Sequence, residues 1–278
     1  MKPFKTTDIQ DIITRAGNLI LEIYHEHDIQ VELKQDNTPV TKADKGSDSL
    51  ITTALQKLFP NIPIISEESI LPPHTIRNQW QQAWVVDPLD GTKEFISRTG
   101  QFCINIGFIT NGHATWGMIN NLLQDEILWG DTEGKSGIIK NATATSITET
   151  APVPHNHLRV TISQFNPAPG EMQYIHRLEQ AGYTVEPIPA GASSKQCLIA
   201  KGLADICPKF GPCSEWDIAA GHAIIKATGG TVIDARNYTE LTYNKPSMLN
   251  PPFIMYSRRI LERIKAGETI FLPQSQEI

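Results

Sequence analysis

The segment Trp84-Val85-Val86-Asp87-Pro88-Leu89-Asp90-Gly91-Thr92 constrains this chain more than any other. An aromatic residue followed by two β-branched ones reads as a buried strand. Pro88 cannot continue a ladder, so the chain is expected to turn just after Asp87. In an unbroken strand Asp87 and Asp90 would face opposite ways, because side chains alternate. A turn removes that obstacle. Both carboxylates can then reach one hard cation, with the Leu89 carbonyl as a third oxygen donor of a kind Mg²⁺ accepts. Gly91 lets backbone approach a ligand closely. Thr92 is read as the cap of a short helix beginning at Lys93, whose free amides would favour phosphate. The plain alternative is that Asp90-Gly91 is a solvated turn.

Two further acidic clusters lie far away in the sequence. Ser66-Glu67-Glu68 closes the short apolar run Pro63-Ile64-Ile65 and fits a solvated loop as well as a ligand set. Trp216-Asp217 precedes Ile218-Ala219-Ala220-Gly221-His222-Ala223-Ile224-Ile225, a helical run closed by Gly229-Gly230, and Asp217 suits an N-cap as well as a ligand. Asp44 likewise reads as the ordinary N-cap of a second helix. Taken together, Glu67, Asp87, Asp90 and Asp217 each sit at the end of an expected element, where α/β proteins place functional groups. Two unit charges about 4 Å apart repel by roughly 4 kcal/mol at an intermediate dielectric. Convergence of these acids therefore implies bound divalent cations or raised pKa values. An oxygen-only donor set selects Mg²⁺, Mn²⁺ or Ca²⁺ over zinc.

These residues carry a resemblance. Glu67-Glu68, the string Asp87-Pro88-Leu89-Asp90-Gly91-Thr92 and Trp216-Asp217-Ile218-Ala219-Ala220-Gly221 together resemble the inositol monophosphatase superfamily of Mg²⁺-dependent, lithium-sensitive phosphatases, and they occur in that family's order. With Lys93-Glu94-Phe95-Ile96, Ser66 and Gly221-His222-Ala223 beside them, the chain is most similar to the bacterial 3'(2'),5'-bisphosphate nucleotidases of sulfate assimilation. The resemblance runs from Thr38-Pro39-Val40-Thr41-Lys42-Ala43-Asp44 to Asn250-Pro251. It implies a layered αβαβα sandwich and hydrolysis of 3'-phosphoadenosine 5'-phosphate to AMP and phosphate, with inositol monophosphate and fructose 1,6-bisphosphate as alternative substrates. It also implies two or three Mg²⁺ ions held by Glu67, Asp87, Asp90, Asp217 and the Leu89 carbonyl. Asp44 and Thr92, with Glu67, would orient and deprotonate the attacking water. Gly91 and Thr92 would hold the phosphate, and Glu67, Leu89, Asp90 and Asp217 would border the substrate as well as the metal. Gly191, Ser193, Ser194 and Lys195 fall where the nucleotidase branch meets its nucleotide. Where that branch shows Ser-Arg-Ser-His, this chain has Ser163-Gln164-Phe165-Asn166.

Other chemistries compete. An aspartyl-phosphate phosphatase also ends a strand in Asp-Gly-Thr, but it needs its two aspartates two apart, whereas Asp87 and Asp90 are three apart. A non-catalytic metal or phosphate binder would have no use for the pair Asp44 and Thr92.

At 278 residues the chain can form two domains or one large α/β body. A net charge of −6 with no basic run excludes a nucleic-acid partner, while small anionic substrates stay open because cations reverse the local sign. Cys103, Cys197, Cys207 and Cys213 form no Cys-x-x-Cys pair, and the start has no basic head with an apolar core, so a cytoplasmic protein with reduced thiols is expected. No stretch is long enough to span a bilayer or anchor to one. Nothing in the pattern fixes an oligomeric state.

Ile9, Ile12, Ile13, Ala16, Leu19, Ile20 and Ile23 recur at helical spacing from near Thr7 or Asp8. Val31 to Lys34 alternates as a strand, Asp36-Asn37-Thr38-Pro39 turns, and a helix follows from Asp44 to Leu58. Cys103 to Ile109, Ala114 to Ile119 and Glu126 to Trp129 are strand-like, with Asn111-Gly112 as a hairpin turn. The weakly patterned stretch 141–156 divides an α+β half, 1–150, with an antiparallel sheet and the catalytic metal site, from an α/β half, 151–278, that completes the substrate pocket. Strand and helix patterns alternate beyond Leu158, which implies a mainly parallel second sheet. His222 is read as a packing residue.

Overall fold

A computed structural model describes residues 4–26, 30–34, 38–147, 153–165 and 167–278. In chain order the elements are α1 (Thr6–Tyr24), β1 (Val31–Leu33), β2 (Pro39–Thr41), α2 (Lys42–Leu58), β3 (Ile64–Ser66), α3 (His74–Arg77), β4 (Gln82–Asp90), α4 (Thr92–Ile96), β5 (Cys103–Thr110), β6 (His113–Asn121), β7 (Glu126–Asp131), β8 (Ser136–Lys140) and β9 (Thr143–Thr145). They continue with β10 (His157–Ser163), α5 (Pro169–Gln180), β11 (Thr184–Ala190), α6 (Ser194–Ala200), β12 (Ile206–Lys209), α7 (Ala219–Ala227), β13 (Thr231–Asp234), β14 (Phe253–Tyr256) and α8 (Arg258–Lys265). Asp36, Asn37 and Asn166, and part of the 141–156 stretch, lie outside the described residues.

Strands β3 to β9 form a seven-stranded sheet in sequence order, antiparallel except for the β3–β4 pair. The second sheet, ordered β11-β10-β12-β14-β13, is parallel across β11, β10 and β12, where helices alternate with strands. It is antiparallel at β14 and β13. The sheet is thus mixed, because the stretch between β13 and β14 supplies no crossover helix. A two-stranded hairpin, β1–β2, stands apart.

Apolar side chains sort these elements into layers. Trp84, Val86, Ile104 and Trp116 pack with Ile9, Ile13, Ile20, Ile51 and Leu55 of α1 and α2 on one face of the large sheet. Val85, Ile119 and Leu128 pack on its other face with Cys197, Ile199, Ala220 and Ile224 of α6 and α7, and that core continues into Val232 and Met255 of the second sheet. Leu158, Ile206 and Ile254 cover the far face of the second sheet with Tyr174, Leu178 and Ile260 of α5 and α8. The order is helix, sheet, helix, sheet, helix.

A row of glycines sets how closely α7 lies on the large sheet. Gly107, Gly117 and Gly130 are cross-strand partners on β5, β6 and β7. A Cβ on Gly117 would fall 2.1 Å from the Ala220 carbonyl oxygen, and one on Gly130 would fall 2.9 Å from the Ile224 Cα. Side chains there would lift the helix, and Asp217 with it. The turn Asn111-Gly112 has φ of 50° and 77°, as a two-residue hairpin requires.

Candidate active site

The central strand departs from expectation in a way that builds the site. No turn follows Asp87; β4 runs on through Pro88 to Asp90. Asp87 pairs with Asn105 and Asp90 with Cys103, so three steps on β4 match two on β5. That extra residue is a β-bulge, which accommodates the missing Pro88 N–H and inverts the alternation. Leu89 accordingly packs with Trp84 and Val86, and Asp90 returns to the face of Asp87. The Ser47 hydroxyl of α2 donates to the Pro88 carbonyl at 2.8 Å and pins the bulge.

Thr92 is not a cap. Gly91, with φ of 92°, takes the N-cap position of α4, and a Cβ there would meet the Gln101 carbonyl oxygen at 2.9 Å. Thr92 is the first helical residue, and its hydroxyl donates to Asp44 Oδ1 at 2.9 Å. Asp44 is not an N-cap either. Thr41 caps α2, and Asp44, third in the helix, accepts from the Thr41 amide at 2.8 Å and the Thr41 hydroxyl at 2.6 Å. This reciprocal capping box fixes one carboxylate oxygen and leaves the other for Thr92. Asp217 also lies outside its expected cap position: Ile218 precedes α7, and Asp217 Oδ2 accepts from the Ser214 amide at 2.8 Å. All three expectations failed for the same reason. Cap preferences fix a boundary only to within a residue or two.

Glu67 is not in a freely solvated loop. The Lys34 ammonium bridges Glu67 at 2.8 Å and Glu68 at 2.5 Å, with all three side chains largely covered. Burial alone would depress the Lys34 pKa, but the hydrogen bonds and charges of the two glutamates outweigh it and hold the amine protonated. Glu67 stays raised by burial in spite of Lys34. Asp87 is pushed well above the carboxylate range by burial and then by the charges of Glu67, Asp90 and Asp217. Burial also raises Asp90, opposed by the Ser193 hydroxyl and Lys195. Burial and the Asp90 charge push Asp217 up to about 7.

The four acids predicted to converge are therefore within each other's fields. Each is held by a protein donor, and among the described residues no three acidic, histidine or cysteine side chains close on one point as a ready coordination sphere. The chemistry of the set nevertheless fits a hard divalent cation. Its donors are oxygens, its charges are mutually unfavourable, and an ammonium already sits on one of its members, Glu67.

Of the second-half residues, Lys195 and Gly191 line a cleft of about 280 Å³ together with Asp90, Gly91, Asp217, Phe165 and Lys209. Ser193 and Ser194 do not line it. Ser193 is wholly buried with its hydroxyl on Asp90 at 2.5 Å, and the Ser194 hydroxyl lies 3.8 Å from Cys103 Sγ. A larger cavity of about 840 Å³ beside Lys201 and α8 contains none of the acids. His222 is buried against the Tyr243 hydroxyl at 2.8 Å and is held neutral, pushed down to about 3 by burial.

Sequence reasoning missed Lys34, Asn105, Gln196 and Lys209. Asn105 carried a usable signal, a lone amide in the apolar strand Cys103-Ile104-Asn105-Ile106.

The inositol monophosphatase family profile matches residues 1–267. The chain belongs to that family. A 3'(2'),5'-bisphosphate nucleotidase, CysQ, from Salmonella typhimurium is 36% identical over 244 residues, 86% of this chain and 94% of the relative. The crystal structure of CysQ from Bacteroides thetaiotaomicron, a bacterial member of the inositol monophosphatase family, superposes with a TM-score of 0.82 at 32% identity, covering 92% of this chain and 99% of that one. An IMPase/NADP phosphatase complexed with Mg²⁺ and phosphate shares the fold at a TM-score of 0.71 and 16% identity, covering 92% and 91%. In this chain the two sheets and the middle helix layer frame the cleft.

Proposed function

We propose that the protein is a Mg²⁺-dependent 3'(2'),5'-bisphosphate nucleotidase that releases phosphate from 3'-phosphoadenosine 5'-phosphate. One observation carries the reading: the Thr92 hydroxyl donates to Asp44 at 2.9 Å beside the buried acids, an arrangement without use in a protein that only binds metal. With its proton directed to Asp44, the Thr92 oxygen presents a lone pair to a water molecule. Asp44, fixed by Thr41, is the base that accepts the proton. Glu67, Asp87, Asp90, Asp217 and the Leu89 carbonyl would hold the ions. Bound Mg²⁺ would supply charge neutralisation at the phosphoryl group and lower the pKa of the attacking water. Gly91 and the first amides of α4 would orient the phosphate, with Lys195 beside the nucleotide. In this reading residues 1–150 supply the base and most of the cation ligands, and 151–278 add Asp217 and the substrate wall. The description of the Salmonella relative as a 3'(2'),5'-bisphosphate nucleotidase supports the substrate.

The test is a comparison of specificity constants for 3'-phosphoadenosine 5'-phosphate, inositol 1-phosphate and fructose 1,6-bisphosphate with Mg²⁺, with and without lithium. The bisphosphate nucleotide is expected to be hydrolysed best and lithium to inhibit. A clear preference for inositol 1-phosphate would reassign the substrate, and no phosphate release from any of them would overturn the reaction.

A further inference from the structure

We propose that Gln196 and Asn105, acting through the Ser193 hydroxyl, are positioning residues that hold Asp90 and Asp217 in place for the cation. The inference rests on the reading of those two acids as cation ligands. It assigns Ser193 to the support of the site rather than to nucleotide contact.

The three residues come from β5 and from the start of α6, and all are buried. The Ser193 oxygen accepts from Asn105 Nδ2 at 2.8 Å and from Gln196 Nε2 at 2.9 Å. A hydroxyl has two lone pairs and one proton. With both lone pairs taken, the proton is left to donate, and it has the Asp90 carboxylate at 2.5 Å against the Asp217 carbonyl at 3.2 Å. The two amides thus aim the hydroxyl at Asp90. Gln196 Nε2 also donates to the Asp217 main-chain carbonyl at 2.6 Å, and Asn105 Nδ2 approaches Asp90 Oδ2 at 3.3 Å. A single carboxamide on α6 therefore ties a carboxylate at the end of β4 to the backbone that leads into α7.

Two details separate this from incidental packing. The amide oxygens of Asn105 and Gln196 are buried with no partner among the described residues. That is the orientation a pair of amides adopts when their nitrogens are needed on the acid side, because a flip would set an oxygen against the Asp217 carbonyl or the Asp90 carboxylate. Gln196 is also fitted to its place: a Cβ on Gly221 would fall 1.6 Å from Gln196 Oε1, so the glycine of α7 provides the space for the amide.

Groups that hydrogen-bond metal ligands typically change metal affinity by about 10–100-fold when removed. The test is Mn²⁺ titration by calorimetry of the wild type, Gln196→Met, Ser193→Ala and the double variant, with circular dichroism and thermal melts in EDTA as folding controls. Each single change is expected to weaken Mn²⁺ binding by about 10–100-fold. The double variant should lose less than the product of the two single effects, because both act on Asp90 through one hydroxyl. Folded variants that bind Mn²⁺ within about twofold of wild type, or effects that multiply, would overturn the proposal, as would lowered melting with unchanged affinity. If Gln196→Met fails to fold, Ser193→Ala, which removes one oxygen, decides the matter. Wild type that binds no Mn²⁺ would refute the cation site itself, whereas wild type and variants binding alike would refute only the positioning role.

Discussion

Carboxylates are buried in two parts of this protein, and they are treated in opposite ways. In the second half Asp205 receives Arg159 at 3.0 Å and Arg259 at 3.1 Å, Glu277 receives Arg177 at 2.6 Å, and Glu215 receives Lys245 at 2.6 Å. Each has a cation supplied by the chain. At the cleft, Asp87 has a backbone amide at 3.0 Å, and its neighbours add negative charge. A buried carboxylate matched in place is architecture, because removing its partner would strand a charge. A group of carboxylates left raising one another's pKa marks a place for a cation from solution.

Changes on the two sides of this contrast should produce opposite signatures. The largest effect is expected from Asp90→Asn, which should lower phosphate release by at least about 10²-fold. Its melting temperature in EDTA should be unchanged or higher, since a repulsion is removed. Full activity at matched Mg²⁺ would break the contrast on the catalytic side. Next comes Asp205→Asn, which should destabilise by about 3 kcal/mol in denaturant titration while leaving Mn²⁺ affinity unchanged. A loss of affinity there would show that the second charge system reaches the site.

The smallest net effects are those of pH, because two buried groups oppose each other over the same range. Asp217 titrates near 7 in the folded protein against 3.8 for a free aspartate. At this group the folded state therefore holds more protons between these values, and without divalent cation its contribution to stability should fall as pH rises from about 4 to 7. Mg²⁺ should flatten that slope. His222 has the opposite sign, being pushed down to about 3 from 6.5, so its contribution is lost as pH drops below 6.5. His222→Gln should reduce the acid-side loss alone. Unfolding free energies measured across pH 4 to 8, with EDTA and with Mg²⁺, check both slopes.

Much of this was legible in the chain. Of the stripe from Ile9 to Ile23, Ile9, Ile12, Ile13, Ala16 and Ile20 are buried and Leu19 and Ile23 half-buried; Asn111-Gly112 turns its hairpin, and the strands from Cys103 and His113 fall within a residue or two of expectation. Local periodicity carries that information directly. The site residues were legible as motifs, but their local roles were not. The inversion at Pro88 depends on pairing with Cys103, which a single strand does not record. Asp44 and Thr92 exchanged their expected roles for a hydrogen bond across 48 positions. Lys34 reached the acids because the β1–β2 hairpin carries it there, and the sequence separates it from Glu67 by 33 positions. Tertiary pairing decides such features, and propensity has no term for it.

The glycine row beneath α7 has a consequence for motion. Backbone touches backbone there, so neither half can slide or hinge across that contact without opening a void in the middle layer. Entry and exit of a substrate must be served by what borders the cleft at its rim. Turnover in this protein is expected to depend on the outer segments, while the distance from Asp217 to the end of β4 stays fixed like the gap of a closed caliper.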